Sequence, residues 1–189
     1  LVQGLQSIIT RNVNPLESVV LSVTKIHCGD ATNIIADDCM IEGTVRCFSE
    51  EVLQTVEKRM AKISQDLCSA FDCEGQFFFE RAYPATINHA AQAQHVREVA
   101  VDLLGEKQVV NFIPTMGSED FSFFLEAKPG CYFAIGNGDG DHRDIGHGMG
   151  PCNLHNPSYD FNDALIPIGA SLWVKLVEAR LGKDGIGCE

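Results

Sequence analysis

His155 stands in the stretch Leu154-His155-Asn156-Pro157-Ser158-Tyr159-Asp160-Phe161-Asn162-Asp163. Pro157 stiffens the turn that follows it, and Asp160, Asn162 and Asp163 crowd the start of the next element. A neutral imidazole is the commonest metal ligand, and a neighbouring carboxylate can fix its tautomer. The other reading is a hydrogen-bonded loop histidine, and spacing leaves both open. His147 and His142 come earlier, among Asp139, Asp141 and Asp144. Their H-x4-H-x7-H spacing on a glycine-rich loop matches no common zinc pattern. His142 and His147 are therefore expected to face solvent, with a local zinc site from the three histidines as the alternative. Cys152, close before His155, is expected to be structural rather than part of a site.

Two further groups of residues could carry chemistry. In Met116-Gly117-Ser118-Glu119-Asp120-Phe121, a glycine precedes a serine that can cap a helix. Open backbone N–H groups at such a start attract a carboxylate or an oxyanion, but Glu119 and Asp120 also suit a plain helix dipole. Asn33, with Arg46 on the strand beyond it, is the third candidate. Its other reading is a turn asparagine.

The elements that must position these residues follow from periodicity and breakers. Leu1, Val2, Leu5, Ile8 and Ile9 have helical spacing with no capping residue before them, so upstream sequence is expected. Asn14-Pro15 ends that helix. Ser18 to His27 alternates as a strand, and Gly29 to Asn33 is a polar loop. Cys39 to Phe48 is a second strand, in which Gly43 marks a bulge or a close backbone approach. Ser49 caps a helix with Val52, Leu53, Val56, Met60, Ile63 and Leu67 as its apolar stripe. Gln76 to Tyr83 reads as a third strand. With one strand added in front, residues 1–85 form a ferredoxin-like α+β module, its helices on one face of an antiparallel sheet.

Residues 86–189 read differently. Asn88 is expected to cap a helix that Gly105 ends. Val109 to Phe112 reads as a short buried strand, Ser118 as the cap of a brief helix, and Cys131 to Ile135 as an apolar strand. Gly136 to Gly150 is a long glycine- and aspartate-rich loop of the kind that often carries function. A final helix runs from Asp163 to Leu181, with Pro167 tolerated near its start. Gly182 to Glu189 reads as a frayed tail.

Composition narrows the class. With 189 residues, 45% hydrophobic and 21% charged, the chain suits a globular protein of one or two domains. A formal charge of −12 argues against nucleic acid and anionic membrane as partners. No apolar run approaches a membrane span, and no secretory signal is visible. The eight cysteines, Cys28, Cys39, Cys47, Cys68, Cys73, Cys131, Cys152 and Cys188, form no C-x-x-C pair. They read as buried small hydrophobes in a reducing, cytoplasmic compartment.

Together these stretches resemble the aminoacylase/hippurate hydrolase family of metal-dependent amidohydrolases, which includes the indole-acetyl-amino-acid hydrolases. The likeness covers roughly residues 1–181. Leu5 to Pro15 is similar to the lid-domain helix, and Asn33-Ile34-Ile35-Ala36-Asp37 to an N-V-I-P-D stretch, with Ala36 where proline is usual. Gly43-Thr44-Val45-Arg46 is similar to a G-T-x-R strand, Gly117 to Phe121 to a G-x-E-D-F element, and His155 to Asp163 to H-x-P-x-Y-D-F-N-D. Each motif is weak alone, and five in order are specific.

The resemblance implies a metallopeptidase-type α/β catalytic domain interrupted by a ferredoxin-like lid that dimerises. In that scheme residues 1–85 are the lid and 86–189 the C-terminal part of the catalytic domain. His155 aligns with the last metal ligand, while the other ligands, the glutamate general base and a lid histidine lie upstream of Leu1. Asn33 corresponds to a substrate-reaching lid residue. Gly117 and Ser118 line the pocket, with Glu119 supporting it. Two divalent ions, zinc or manganese, would polarise the amide and activate water. The implied partners are an N-acyl amino acid or small peptide and a second copy of the chain. On these residues alone the fragment is expected to be inactive. A non-catalytic dimerisation or binding module is the competing reading.

Overall fold

The computed structural model describes residues 1–138, 154–157 and 159–182. His142, His147, Cys152, Cys188, most of the Gly136–Gly150 loop and the tail beyond Gly182 lie outside the described residues. The chain divides into two compact units. Leu1–Thr86 and Pro114–Phe123 make the first, and Ile87–Ile113 and Phe124–Glu189 the second.

In the first unit, helix α1 (Val2–Asn12) leads to strand β1 (Val19–His27), strand β2 (Met40–Cys47) and helix α2 (Glu50–Ser69). α1 stops where Asn14 turns the chain, its carboxamide accepting the Leu16 amide at 3.0 Å. The strands pair antiparallel, and Leu21 of β1 points into a core shared with Leu5, Ile8 and Val56. Val52, Met60 and Ile63 of the expected α2 stripe pack against that core. Ile8 and Val56 are 0% exposed, and burying each such side chain contributes about 1.5–3 kcal/mol. Ser49 caps α2, as its sequence context suggests, by accepting the Val52 amide at 3.4 Å.

Gly43 explains the hairpin's irregularity. The register passes from Val23↔Gly43 to Lys25↔Glu42, leaving Thr24 as the extra residue of a bulge. A Cβ on Gly43 would lie 2.3 Å from the Ser22 carbonyl oxygen, so both the bulge and the close approach occur here.

The expected strand at Gln76 to Tyr83 does not join a ladder. Among the described residues the sheet has two strands, β1 and β2. Arg81 instead ties the segment to α2, donating to Glu50 and, at 2.6 Å, to Glu57.

The second unit contains helix α3 (Ala90–Leu104), a 3₁₀ turn (Glu106–Gln108) and helix α5 (Ile166–Leu181), which packs on α3. Helix α4 (Phe121–Ala127) comes between them in the chain. Two expected strands are corrected here. The segment 109–112 forms no strand and is not buried, with Val110 81% and Phe112 75% exposed. Arg97 holds its base through Glu106 at 2.6 Å and the Val109 carbonyl at 3.5 Å. The segment 131–135 also forms no strand. It lies on α5, with the Phe133 and Trp173 rings 5.6 Å apart.

Asn88 is not the cap of α3, which His89 precedes. Its carboxamide serves the 131–135 segment instead, accepting the Tyr132 amide at 2.7 Å and donating to the Tyr132 carbonyl at 2.8 Å. A primary amide offers the same donor–acceptor pair as a strand neighbour.

The cysteines also depart from expectation. Cys28, Cys39 and Cys73 are exposed, and Cys47, Cys68 and Cys131 are half-buried. Desolvation pushes the Cys47 thiol up, with a backbone hydrogen bond at Ser49 opposing it, and desolvation alone raises Cys131. Among the described residues, no helix is long and apolar enough to cross a membrane.

Candidate functional site

In the first unit, the Gly117–Ser118 segment is held by an arginine. Arg46, near the end of β2, donates to the Met116 carbonyl and, at 3.1 Å, to the Ser118 hydroxyl. That bond changes the reading of Ser118, which does not cap the brief helix. Glu119 holds the start of that turn: its carbonyl accepts the Ser122 hydroxyl at 2.7 Å and its carboxylate the Phe121 amide at 3.5 Å. Ser122 is fully buried, so the turn is fixed from within. The seven-residue α4 starts at Phe121, beyond Gly117 and Ser118, which are both exposed. Gly117 is open, with Thr115 Oγ1 lying 3.6 Å from where its Cβ would stand.

Asn33 lies on the β1–β2 connection and is exposed. No hydrogen bond joins it to Arg46 among the described residues. The structure therefore brings Arg46 together with Met116 and Ser118 and leaves Asn33 apart, on a loop whose side chains face solvent.

In the second unit, His155 is exposed and adopts φ 71°, in the left-handed region. A side chain there costs about 1–3 kcal/mol unless its surroundings hold it. The Tyr159 amide closes the turn on the Asn156 carbonyl at 2.9 Å. Beyond it, two asparagines clamp the chain. Asn137 donates to the Asp160 carbonyl at 2.8 Å and accepts the Asn162 amide at 2.9 Å, while the Asn162 carboxamide donates back to the Asn137 carbonyl at 3.2 Å. The Asn162 side-chain oxygen then accepts the Ala164 amide at 3.1 Å, starting a 3₁₀ turn (Asp163–Leu165) that runs into α5. Asn162 thus caps a 3₁₀ turn at the expected Asp163 start, and α5 itself begins at Ile166, three residues later. Tyr159 and Phe161 meet edge-on at 4.9 Å.

Asn137 escaped the sequence reading. It sits at the entry of the glycine-rich loop, where the Asn-Gly pair signals a turn, and nothing local names its partner 25 residues away.

The metal reading meets a limit of stoichiometry. A zinc or manganese centre needs three or more protein donors converging at about 2 Å. Among the described residues, no group of three His, Cys, Asp or Glu side chains is so arranged. His155 offers one imidazole, and the described residues alone do not fit a two-metal centre.

Comparison with known proteins gives this geometry a context. Residues 9–179 match the family model for peptidase family M20/M25/M40. The chain is 37% identical over 177 residues to the hippurate hydrolase of Campylobacter jejuni, covering 93% of this chain and 43% of that protein. It is 32% identical over 182 residues to IAA-amino acid hydrolase ILR1-like 4 of Arabidopsis thaliana, covering 94% and 40%. The fold is similar to a Bacillus subtilis dinuclear metal binding peptidase from the M20 family. The TM-score is 0.74 at 23% identity, covering 96% of this chain and 46% of that one. The chain thus spans under half the length of these relatives.

Proposed function

The chain belongs to peptidase family M20/M25/M40, and from that premise we propose that it is the C-terminal portion of a metal-dependent amidohydrolase cleaving N-acyl amino acids. The observation that carries the reading is His155. Its imidazole is exposed on a left-handed turn, at the position where the family motif has its last metal ligand. The asparagine clamp that follows fixes the chain on that side. The relatives' names support the substrate class, hippurate in one and an indole-acetyl amino acid in another.

In this reading His155 is one ligand for a pair of divalent ions, zinc or manganese, whose remaining ligands and general base lie outside the described residues. Asn33 reaches the acylated amino acid from its exposed loop. Gly117 and Ser118 line the pocket, and Glu119 supports them by holding the turn at Ser122. Arg46 is a positioning residue, because it binds the Met116–Ser118 backbone and hydroxyl. The first unit is a ferredoxin-like lid and the contact of a homodimer. Sheet edges without a partner strand among the described residues and exposed Ile26 and Met40 support that role. In the whole protein, further polypeptide covers Val110, Phe112, Ile113, Trp173 and Val174, which stand exposed here. The protein is cytoplasmic, in keeping with its free thiols.

The chain by itself is inactive in this reading. Calorimetric titration with zinc and with manganese tests it, beside an assay for benzoate release from hippurate. The expected result is no turnover and at most one weak site per chain, lost in His155→Ala. Two tight sites, turnover, or a site that survives His155→Ala would refute it.

A further inference from the structure

The β1–β2 hairpin brings two cysteines face to face at the base of the loop that carries Asn33. The ladder ends with His27 opposite Met40. One step further along the same register sets Cys28 opposite Cys39. Side chains directly opposite in an antiparallel pair have Cβ atoms about 4.5–5.5 Å apart. A disulfide needs about 3.5–4.5 Å between Cβ atoms and about 4.4–6.8 Å between Cα atoms, so a small approach of the two strand ends suffices. The loop is already narrow at its base. Gly29 adopts φ 67°, and a Cβ built on it would lie 3.2 Å from the Ala36 Cβ. Both thiols are free and exposed, beside an open depression of about 460 Å³ lined by residues 28–32 and 34–36.

We propose that Cys28 and Cys39 are a thiol–disulfide site that a low-molecular-weight disulfide, such as oxidised glutathione, closes into a cross-link across the Asn33 loop. One thiolate of the pair attacks a sulfur of the reagent, expels a glutathione thiolate and forms a mixed disulfide. The second thiolate attacks the protein sulfur of that bond and expels the other glutathione thiolate. The two cysteines lose two protons and two electrons, and the reagent leaves as two thiols. The Cys39 thiol is pushed up from its ordinary value by desolvation, then by its hydrogen bond with Cys28 and repulsion from Cys28 and Asp38. Cys39 is therefore held toward its thiol form, and closure speeds up as the pH rises toward the thiolate form. The cross-link ties the two ends of residues 29–38 together, so the loop's freedom becomes a function of the disulfide poise around it. This inference stands on the hairpin alone and does not need the amidohydrolase reading.

The reduced chain, incubated in native buffer with oxidised glutathione at about pH 8, is blocked with N-ethylmaleimide and digested without reductant. Mass spectrometry should find a peptide joining the Cys28 and Cys39 segments, lighter by about 2 Da than the two thiol peptides together. Both cysteines should drop out of maleimide labelling while Cys47 and Cys131 keep it. In Cys28→Ser, Cys39 should instead hold glutathione as a stable mixed disulfide, and Cys39→Ser should do the same for Cys28. Maleimide on both cysteines after oxidation, or glutathione on each without a joined peptide, would overturn the proposal.

Discussion

Substituting alanine for Gly43 tests the hairpin that carries Arg46. The added Cβ would stand 2.3 Å from the Ser22 carbonyl oxygen and 3.2 Å from the Val23 Cα. The obstructing atoms are backbone, fixed by the β1–β2 ladder and by Leu21 in the core, so no side chain can swing aside. Overpacking of this kind costs about 1–3 kcal/mol. Alanine recovers about 0.4–1 kcal/mol because it restricts the unfolded chain. The net loss is about 1–2 kcal/mol. With a urea m-value of about 2 kcal/mol per molar, the midpoint should fall by about 0.5–1 M. Far-UV circular dichroism follows that midpoint, and hydrogen exchange at the β1 amides locates the loss in the hairpin. Gly117→Ala is the control, because its Cβ would meet nothing nearer than 3.6 Å, and the chain should be no less stable and up to about 1 kcal/mol more stable. A Gly43→Ala chain as stable as the wild type, or no more damaged than Gly117→Ala, would refute the argument from backbone approach.

Two more outcomes are expected. Arg81, and after it Gln54, hold the Glu50 carboxyl below its ordinary value by hydrogen bonding. A depressed folded-state value gives stability that is present above the unfolded value and lost as pH falls through the folded one. Melting temperature should therefore drop from about pH 4 downward less steeply in Glu50→Gln than in the wild type, and equal slopes would sink the assignment. Asn162→Ala removes the cap on Ala164 and the carboxamide bond to Asn137, at about 0.5–2 kcal/mol. Amide exchange at residues 163–166 should quicken while α3 stays protected, and unchanged exchange there would show that the clamp does not hold the turn.

The sequence was most legible where one local pattern sufficed. The α2 stripe and its Ser49 cap, the alternation of β1 and β2 and the role of Gly43 all rest on contacts within a hairpin or a helix turn. The start after His155 was legible as a capped turn at Asp163, because only a few polar side chains could serve as its cap, while α5 itself begins at Ile166. Three expected strands, at residues 76–83, 109–112 and 131–135, failed for one reason. Apolar alternation states that a segment can pair, and which partner it meets is decided by contacts distant in the chain. Here Arg81, Arg97 and Asn88 hold these segments instead of a ladder. Burial of the cysteines was misjudged similarly, since an apolar run does not say which side of a two-stranded sheet is covered.

The sequence by itself determined the family through five motifs in order, and residue chemistry alone made His155 a candidate ligand. Only the tertiary structure decided that Ser118 answers to Arg46 rather than to a helix, and that Asn137 grips the segment after His155. It also decided that Cys28 and Cys39 face one another. Motif order survives because it is written along the chain. These partnerships join residues 11 to 72 positions apart, so they exist only once the backbone has closed the distance.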